Sequence, residues 1–404
     1  MSTYLGASLR GPLAAILPHH EGLTEFRRDL HANPELGFEE HRTAELVAER
    51  LKAFGVEVHT GIGRTGVVGV IRGRGERSGR SIGLRADMDA LPMAEENEFA
   101  HRSTRPEVMH GCGHDGHVTI LLGAARYLAE TRNFDGTAYL IFQPGEEGYA
   151  GAKAMIEDGL FRRFPADEVY ALHNWPGLPA GKIGLNDGPM MASADRVEIT
   201  VSGRGGHGAH PHLTVDPVVA AAHIIIAAQS IVARNVATLD NAVLSLCAVH
   251  TGNLGAFSVV PREAKITGTV RTFRTEVQEL VEERLTELVE STARAFGAEG
   301  RTLYERIYPA TVNHLEQARF AGDVAEELVG RDNVIRDLAP SMGAEDFAFM
   351  LQERPGCYVR LGQGGGPSGC FLHNSRYDFN DAVIPLGAAF FAALAERRLP
   401  LQTR

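Results

Sequence analysis

Between residues 191 and 308 the chain changes rhythm, and this break constrains the fold more than any other feature. Arg196–Ser202 alternates apolar and polar residues, the pattern of a half-buried strand. Asp216-Pro217 places a capping carboxylate before a proline at the first helical position, which opens a helix to about Arg234. Val243–Val249 and Ala264–Phe273 read as two more strands. Glu276–Phe296 reads as an amphipathic helix closed by Gly297, and Arg301–Ile307 as a last strand. The order βαββαβ is the ferredoxin-like arrangement, which can close a small domain by itself.

The flanking segments follow another pattern. A helix is expected from about Phe38 to Phe54, stopped by Gly55. Val67–Ile71, Ile82–Ala86, Ala138–Gln143 and Val169–His173 read as strands, with helices over His117–Glu130 and Ala152–Asp158 between them. A last helix covers Pro385–Glu396. Alternating strands and helices imply an α/β layer around a largely parallel sheet. The expectation is therefore α/β overall: a discontinuous domain of residues 1–190 and 309–404, with residues 191–308 inserted.

Composition narrows the function classes. Lys and Arg number 40 against 51 Asp and Glu, a net charge of −11, so the chain lacks the basic footprint of a nucleic-acid binder. The same charge argues against an anionic membrane surface. The most apolar helical run, Val218–Val232, is broken by His223 and Gln229 and is read as falling short of a membrane span. The start of the chain lacks the features of a signal peptide. The cysteines, Cys112, Cys247, Cys357 and Cys370, are widely spaced, which fits a reducing compartment and a cytoplasmic protein. Gly61-Ile-Gly-Arg-Thr-Gly66 matches a dinucleotide fingerprint, but a strand follows it where a helix is required, so a hairpin turn is expected.

Seventeen histidines are many, and their placement carries chemistry. In Met109-His-Gly-Cys-Gly-His-Asp-Gly-His117, Cys112 and His114 stand two apart, and alternate positions of an extended segment project to one side. A thiolate with an imidazole favours zinc, manganese, cobalt or nickel over magnesium or calcium. A glycine-rich turn with a buried cysteine is the plainer reading of that segment. Phe142-Gln-Pro-Gly-Glu-Glu147 puts two carboxylates after an apolar strand, where α/β sheets place ligands. One can ligate while the other, as a base, faces water. His173 and His373 each follow an apolar stretch. A cysteine, three histidines and a glutamate form a coherent ligand set for one or two divalent ions. Gly203-Arg-Gly-Gly-His-Gly-Ala-His-Pro-His212 presents more histidines from the inserted segment, either as a solvated loop or toward a substrate.

With these motifs the chain resembles the M20 metallopeptidase family, in its amidohydrolase branch of hippurate, N-acyl-amino-acid and auxin-conjugate hydrolases. The likeness runs from Arg28-Asp-Leu-His-Ala-Asn-Pro-Glu-Leu-Gly37 through Leu84-Arg-Ala-Asp-Met-Asp-Ala-Leu-Pro92 and Met342-Gly-Ala-Glu-Asp-Phe347 to Tyr377-Asp-Phe-Asn-Asp381. It implies metal ligands Cys112, His114, Glu147, His173 and His373, with Glu146 as base and then acid. It implies a zinc-peptidase-like α/β catalytic domain with a lid and dimerisation domain, and a homodimer or larger homo-oligomer. His207 would reach the partner subunit's site. Arg85 stands where the wider family often has a histidine ligand, so Asp87 is kept off the ligand list. Ser258 and His210 depart from the branch pattern. Arg271 is the candidate for binding a substrate carboxylate. The implied activity is hydrolysis of N-acyl amino acids. A dipeptidase or carboxypeptidase is the nearer alternative, and a silent metal-binding protein the further one.

Overall fold

The computed structural model describes residues 11–75, 77–365 and 370–401. It divides into two compact units. Residues up to Met190, Val312–Ala339 and those from Asp346 onward form the first; Met191–Thr311 and Pro340–Glu345 form the second.

The first unit is built on an eight-stranded sheet. Its strands are β1 (Glu57–Ile62), β2 (Gly66–Arg72), β3 (Ser81–Asp87), β4 (Thr137–Gln143), β5 (Glu168–Pro176), β6 (Ile183–Gly184), β7 (Val334–Ile335) and β8 (Gly356–Gly364). Their spatial order is β1-β2-β4-β3-β5-β8-β6-β7. The four central strands, β4, β3, β5 and β8, run parallel. The flanks do not: β1 with β2, β2 with β4 and β6 with β8 are antiparallel. The parallel reading therefore holds for the centre of the sheet. On one flank the turn after β1 is too short for a crossover, and Gly63 and Arg64 take positive φ values of 60° and 83° there. The Gly61–Gly66 motif is thus a hairpin turn.

Strands β3 to β5 are buried almost throughout, as is usual for strands with both faces covered. Helices His114–Thr131 and Ile384–Arg398 pack together and are buried on most sides. A Cβ on Gly116 would lie 2.3 Å from the Phe379 ring, so only glycine allows that close approach. The helix expected from Phe38 begins instead at His41, and Phe38 sits outside it with φ +64°. Glu35 explains the late start: its carboxylate accepts from the backbone N–H groups of Arg42 and Thr43, capping the helix there.

In the second unit, the strands Ala194–Ser202, Ala242–Thr251, Glu263–Thr272 and Glu299–Tyr308 form an antiparallel sheet. In their order along the chain they lie 2-3-1-4, the ferredoxin-like pattern. Helices Pro217–Arg234 and Thr275–Ala295 share one apolar core with the sheet. Asp216 caps the first helix by accepting from Val218 N–H at 2.8 Å. That helix is long and apolar enough to cross a bilayer by length and composition, contrary to the sequence reading. In this fold Ala220, Ala221, Ile224, Ala228 and Ile231 turn one side of it into the core.

Candidate metal centre

The site forms where β3, β4 and β5 deliver their carboxyl-terminal ends. The chain leaves β3 for the loop before helix His114–Thr131, while β4 and β5 lie on opposite sides of β3, so a crevice opens at this switch point. Gly113 allows the tight entry into the helix. Its φ is +93°, and a Cβ there would meet the Asn174 and Tyr377 oxygens at 2.5 Å. After β4, Gly145 adopts a left-handed conformation (φ +56°) and turns Glu146 and Glu147 into the crevice. Carboxylates hold this turn at two points: Glu40 accepts from Gly145 N–H at 2.8 Å, and Asp89 accepts from Glu147 N–H at 2.9 Å. The Asp346 N–H donates to Glu146 Oε1 at 3.3 Å.

Potential ligand atoms gather in overlapping sets within 4.8 Å of one another: Cys112 with His114 and His173, Cys112 with Glu147 and His373, and His114 with Glu146 and Glu147. Cys112 Sγ lies 3.4 Å from His173 Nε2. Glu147 Oε1 lies 3.2 Å from His373 Nε2 and 4.0 Å from His114 Nε2. The structure thus brings together Cys112, His114, Glu146, Glu147, His173 and His373. His173 is placed inside β5 and not at its end, because β8 pairs with that strand as far as Pro176. His373 takes φ +60°, a conformation uncommon for a residue with a side chain.

Orientation leaves the right atoms available. His114 donates through Nδ1 to the Asp89 carbonyl at 2.9 Å, and His173 through Nδ1 to the Asn174 carbonyl at 2.7 Å. Each imidazole therefore turns Nε2 toward the centre, as metal-binding histidines commonly do. Among the described residues, His114 Nε2 and Glu147 Oε1 are buried without a hydrogen-bond partner. Buried polar atoms of this kind need a partner, and a divalent cation held by S, N and O donors supplies one. Burial, with the Glu147 and Glu146 charges, pushes the Cys112 thiol well above its ordinary pKa. Burial also lowers His173, helped by His117, and keeps it neutral. At His114 burial acts in the same direction, but Asp87 and Asp89 outweigh it and raise the imidazole to about 10.

Several neighbours lie outside the ligand and base set read from the sequence. Arg85 is buried and donates to Gln143 at 2.8 Å, to Asp87 at 2.8 Å and to Asp346 at 3.0 Å. Asp87 also accepts from His117 Nδ1 at 2.6 Å, and its other oxygen lies 3.6 Å from His114 Nε2. The sequence reading weighs Asp87 and keeps it off the ligand list; Asp89, two positions further on from the end of β3, was findable by the alternation that singled out Cys112 and His114. His207 and Arg271 belong to the second unit. Gly206–His207 pairs with Val259–Val260, His207 opposite Val259, and Ser258 accepts from Gly208 N–H at 2.7 Å. His207 is exposed, and its Nδ1 accepts from Ala209 N–H at 3.0 Å.

This fold and donor set define a metal-dependent hydrolase of amide bonds, and residues 83–397 match peptidase family M20/M25/M40. The chain belongs to that family. It is 45% identical over 375 residues to a hippurate hydrolase of Campylobacter jejuni, covering 93% of this chain and 96% of the relative. It is 37% identical to thermostable carboxypeptidase 2 of Saccharolobus solfataricus, covering 92% of this chain and 94% of that one. Among solved structures, a dinuclear metal-binding M20 peptidase of Bacillus subtilis superposes with a TM-score of 0.82 at 32% identity, covering 95% and 99% of the two chains.

Proposed function

We propose that the chain hydrolyses the amide bond of N-acyl amino acids, releasing a carboxylic acid and a free amino acid. The observation that carries this reading is the meeting of Cys112, His114, Glu147, His173 and His373 beside Glu146, with His114 Nε2 and Glu147 Oε1 buried and without a hydrogen-bond partner among the described residues. These five residues would hold one or two divalent ions, of zinc, manganese, cobalt or nickel. Such ions polarise a carbonyl oxygen and ease the ionisation of water.

Glu146 does the proton work. Its carboxylate takes a proton from the attacking water as the C–O bond forms and the carbonyl oxygen gains charge, then passes that proton to the amide nitrogen as the carbonyl re-forms and the C–N bond breaks. The Asp346 N–H on Glu146 Oε1 holds the group in one orientation while it does so. The Gly206–His207 ribbon lends His207 from the second unit to the developing oxyanion of a partner subunit. The unit 191–308 then serves as lid and dimerisation domain of a homodimer. The four free cysteines support a cytoplasmic setting.

Glu146→Gln tests the assignment: turnover should fall about 10²–10⁴-fold while elemental analysis shows unchanged metal. Near-normal turnover would show that another group is the base. Mixing Glu146→Gln subunits with His207→Ala subunits should restore part of the activity through hybrid dimers. No restoration after confirmed subunit exchange would remove the shared site. The likeness to a carboxypeptidase favours peptides as a second substrate class. A panel of N-benzoyl and N-acetyl amino acids against dipeptides separates the two.

A further inference from the structure

Glu40 is fully buried and stands directly ahead of helix His41–Ala53. Its carboxylate holds two separate pieces of the chain. One oxygen accepts from the Gly145 N–H at 2.8 Å and the other from the Thr65 hydroxyl at 2.5 Å. Gly145 is the residue before Glu146, and Thr65 lies in the hairpin turn between β1 and β2. The backbone around these contacts is unusual. Among the described residues, five that are not glycine take a positive φ; three of them, Phe38, Arg64 and Ala150, lie in the three segments that meet here. Such conformations persist where the surroundings enforce them, and they gather at functional sites. The enforcing contacts are visible. The Arg64 guanidinium lies 4.3 Å from the centroid of the Phe38 ring, which meets the Tyr149 ring edge-on at 5.9 Å. A Cβ on Gly37 would stand 2.4 Å from the Tyr149 ring. Asp89 holds the same turn differently. Its carboxylate accepts from Glu147 N–H and its carbonyl from His114 Nδ1, so it serves two proposed ligands. Glu40 serves the residue next to the proposed base.

We propose that Glu40 is a positioning residue of the hydrolysis: by fixing Gly145 against the β1–β2 hairpin, it sets where the Glu146 carboxylate stands toward the substrate. This rests on the reading of Glu146 as base given above. A carboxylate suits the task because its two acceptor oxygens face two donors that come from different parts of the chain. Because Glu40 bonds to the backbone ahead of Glu146, its replacement should spare the metal while impairing the proton transfers.

The test is a double-variant cycle on the metal-loaded, full-length protein, with metal content, kcat and KM measured for Glu40→Ala, Glu40→Gln, Glu146→Gln and the Glu40→Ala/Glu146→Gln pair. Glu40→Ala should lower kcat about 10–100-fold, the scale of a displacement of about 1 Å at the reacting groups, with KM and metal content little changed. Glu40→Gln should stay within about threefold of wild type, since its amide offers an oxygen to the Gly145 N–H and an N–H to the Thr65 oxygen. In the Glu146→Gln background, Glu40→Ala should cost less than about threefold, because residues acting through one contact are not additive. Equal losses in both backgrounds, a Glu40→Gln as impaired as Glu40→Ala, or metal loss parallel to activity loss would each overturn the role of Glu40. Near-normal kcat in Glu146→Gln would instead overturn the reading beneath it. Should Glu40→Ala fail to fold, Glu40→Asp, whose shorter side chain draws the carboxylate back from both donors, gives the same comparison in both backgrounds.

Discussion

Residues 109–117 and 203–212 are alike in composition and opposite in setting. Both are runs of glycine and histidine before a helix. In the first, Cys112, His114 and His117 are buried, and both His117 ring nitrogens are held, by Asp87 and Asn174 at 2.6 Å each. In the second, His207, His210 and His212 are exposed. The difference comes from what surrounds each run. The first lies against the carboxyl ends of parallel strands that bring carboxylates, a guanidinium and other histidines. The second rests on a two-residue ribbon. A glycine–histidine run becomes a centre of chemistry when its surroundings fix the ring nitrogens. An exposed run needs a second surface to do so.

The comparison is open to attack at several points. The largest effect is expected at the buried support of the first run. Arg85→Met would strand the Asp87 and Asp346 carboxylates in the interior, at a cost of about 3–5 kcal/mol. Arg204→Met, within the second run and with a side chain that is hydrogen-bonded only to the Leu213 carbonyl among the described residues, should stay within about 0.5 kcal/mol. Equal costs in urea denaturation would erase the contrast.

A somewhat smaller effect concerns His31, which donates to Asp115, the neighbour of His114, at 2.8 Å. Burial lowers the His31 pKa, but Asp115 and Glu95 outweigh both burial and the nearby Arg27 charge, raising it to about 9. Its protonated form therefore adds stability that is complete below the ordinary 6.5 and is lost as pH rises through about 9. His31→Gln should cost on the order of 3 kcal/mol near pH 6, and the gap to wild type should close by pH 10. A gap independent of pH would mean that packing, not charge, holds that flank of the run.

The smallest effect lies next to the second run. Asp216→Ala removes the cap of helix Pro217–Arg234 and should cost about 1 kcal/mol, read as faster amide exchange in the helix's first turn. Unchanged exchange would show that the turn is held by its packing alone.

Much of the site was legible because its residues obey simple geometry. Cys112 and His114 are two apart in an extended stretch, and Glu146–Glu147 follow an apolar strand through Pro-Gly. Asp216-Pro217 marked its helix through the chemistry of the cap. Other parts needed the third dimension. Nothing local tells that Arg85 would meet Asp346, 261 residues away, or that Glu40 would hold the Gly145 turn from 105 residues away. The hairpin at Gly61–Gly66 was readable, but the antiparallel pairing of β2 with β4 and of β6 with β8 was hidden because strand periodicity carries no direction. Phe38 was drawn into a helix because its apolar spacing fits, while the carboxylate of Glu35 sets the true start.

The strip Pro340–Glu345 has a practical side. It packs with the second unit, where the Ala192 N–H donates to the carbonyls of Ser341 at 3.1 Å and Gly343 at 2.8 Å, and Thr311 Oγ1 donates to that of Glu345. The second unit is stitched in by two separate threads. A chimera that swaps only 191–311 for another module would leave the shorter thread facing a stranger, and a deletion of the same span would leave it facing nothing. Any exchange of this unit between relatives has to carry both pieces of the gene.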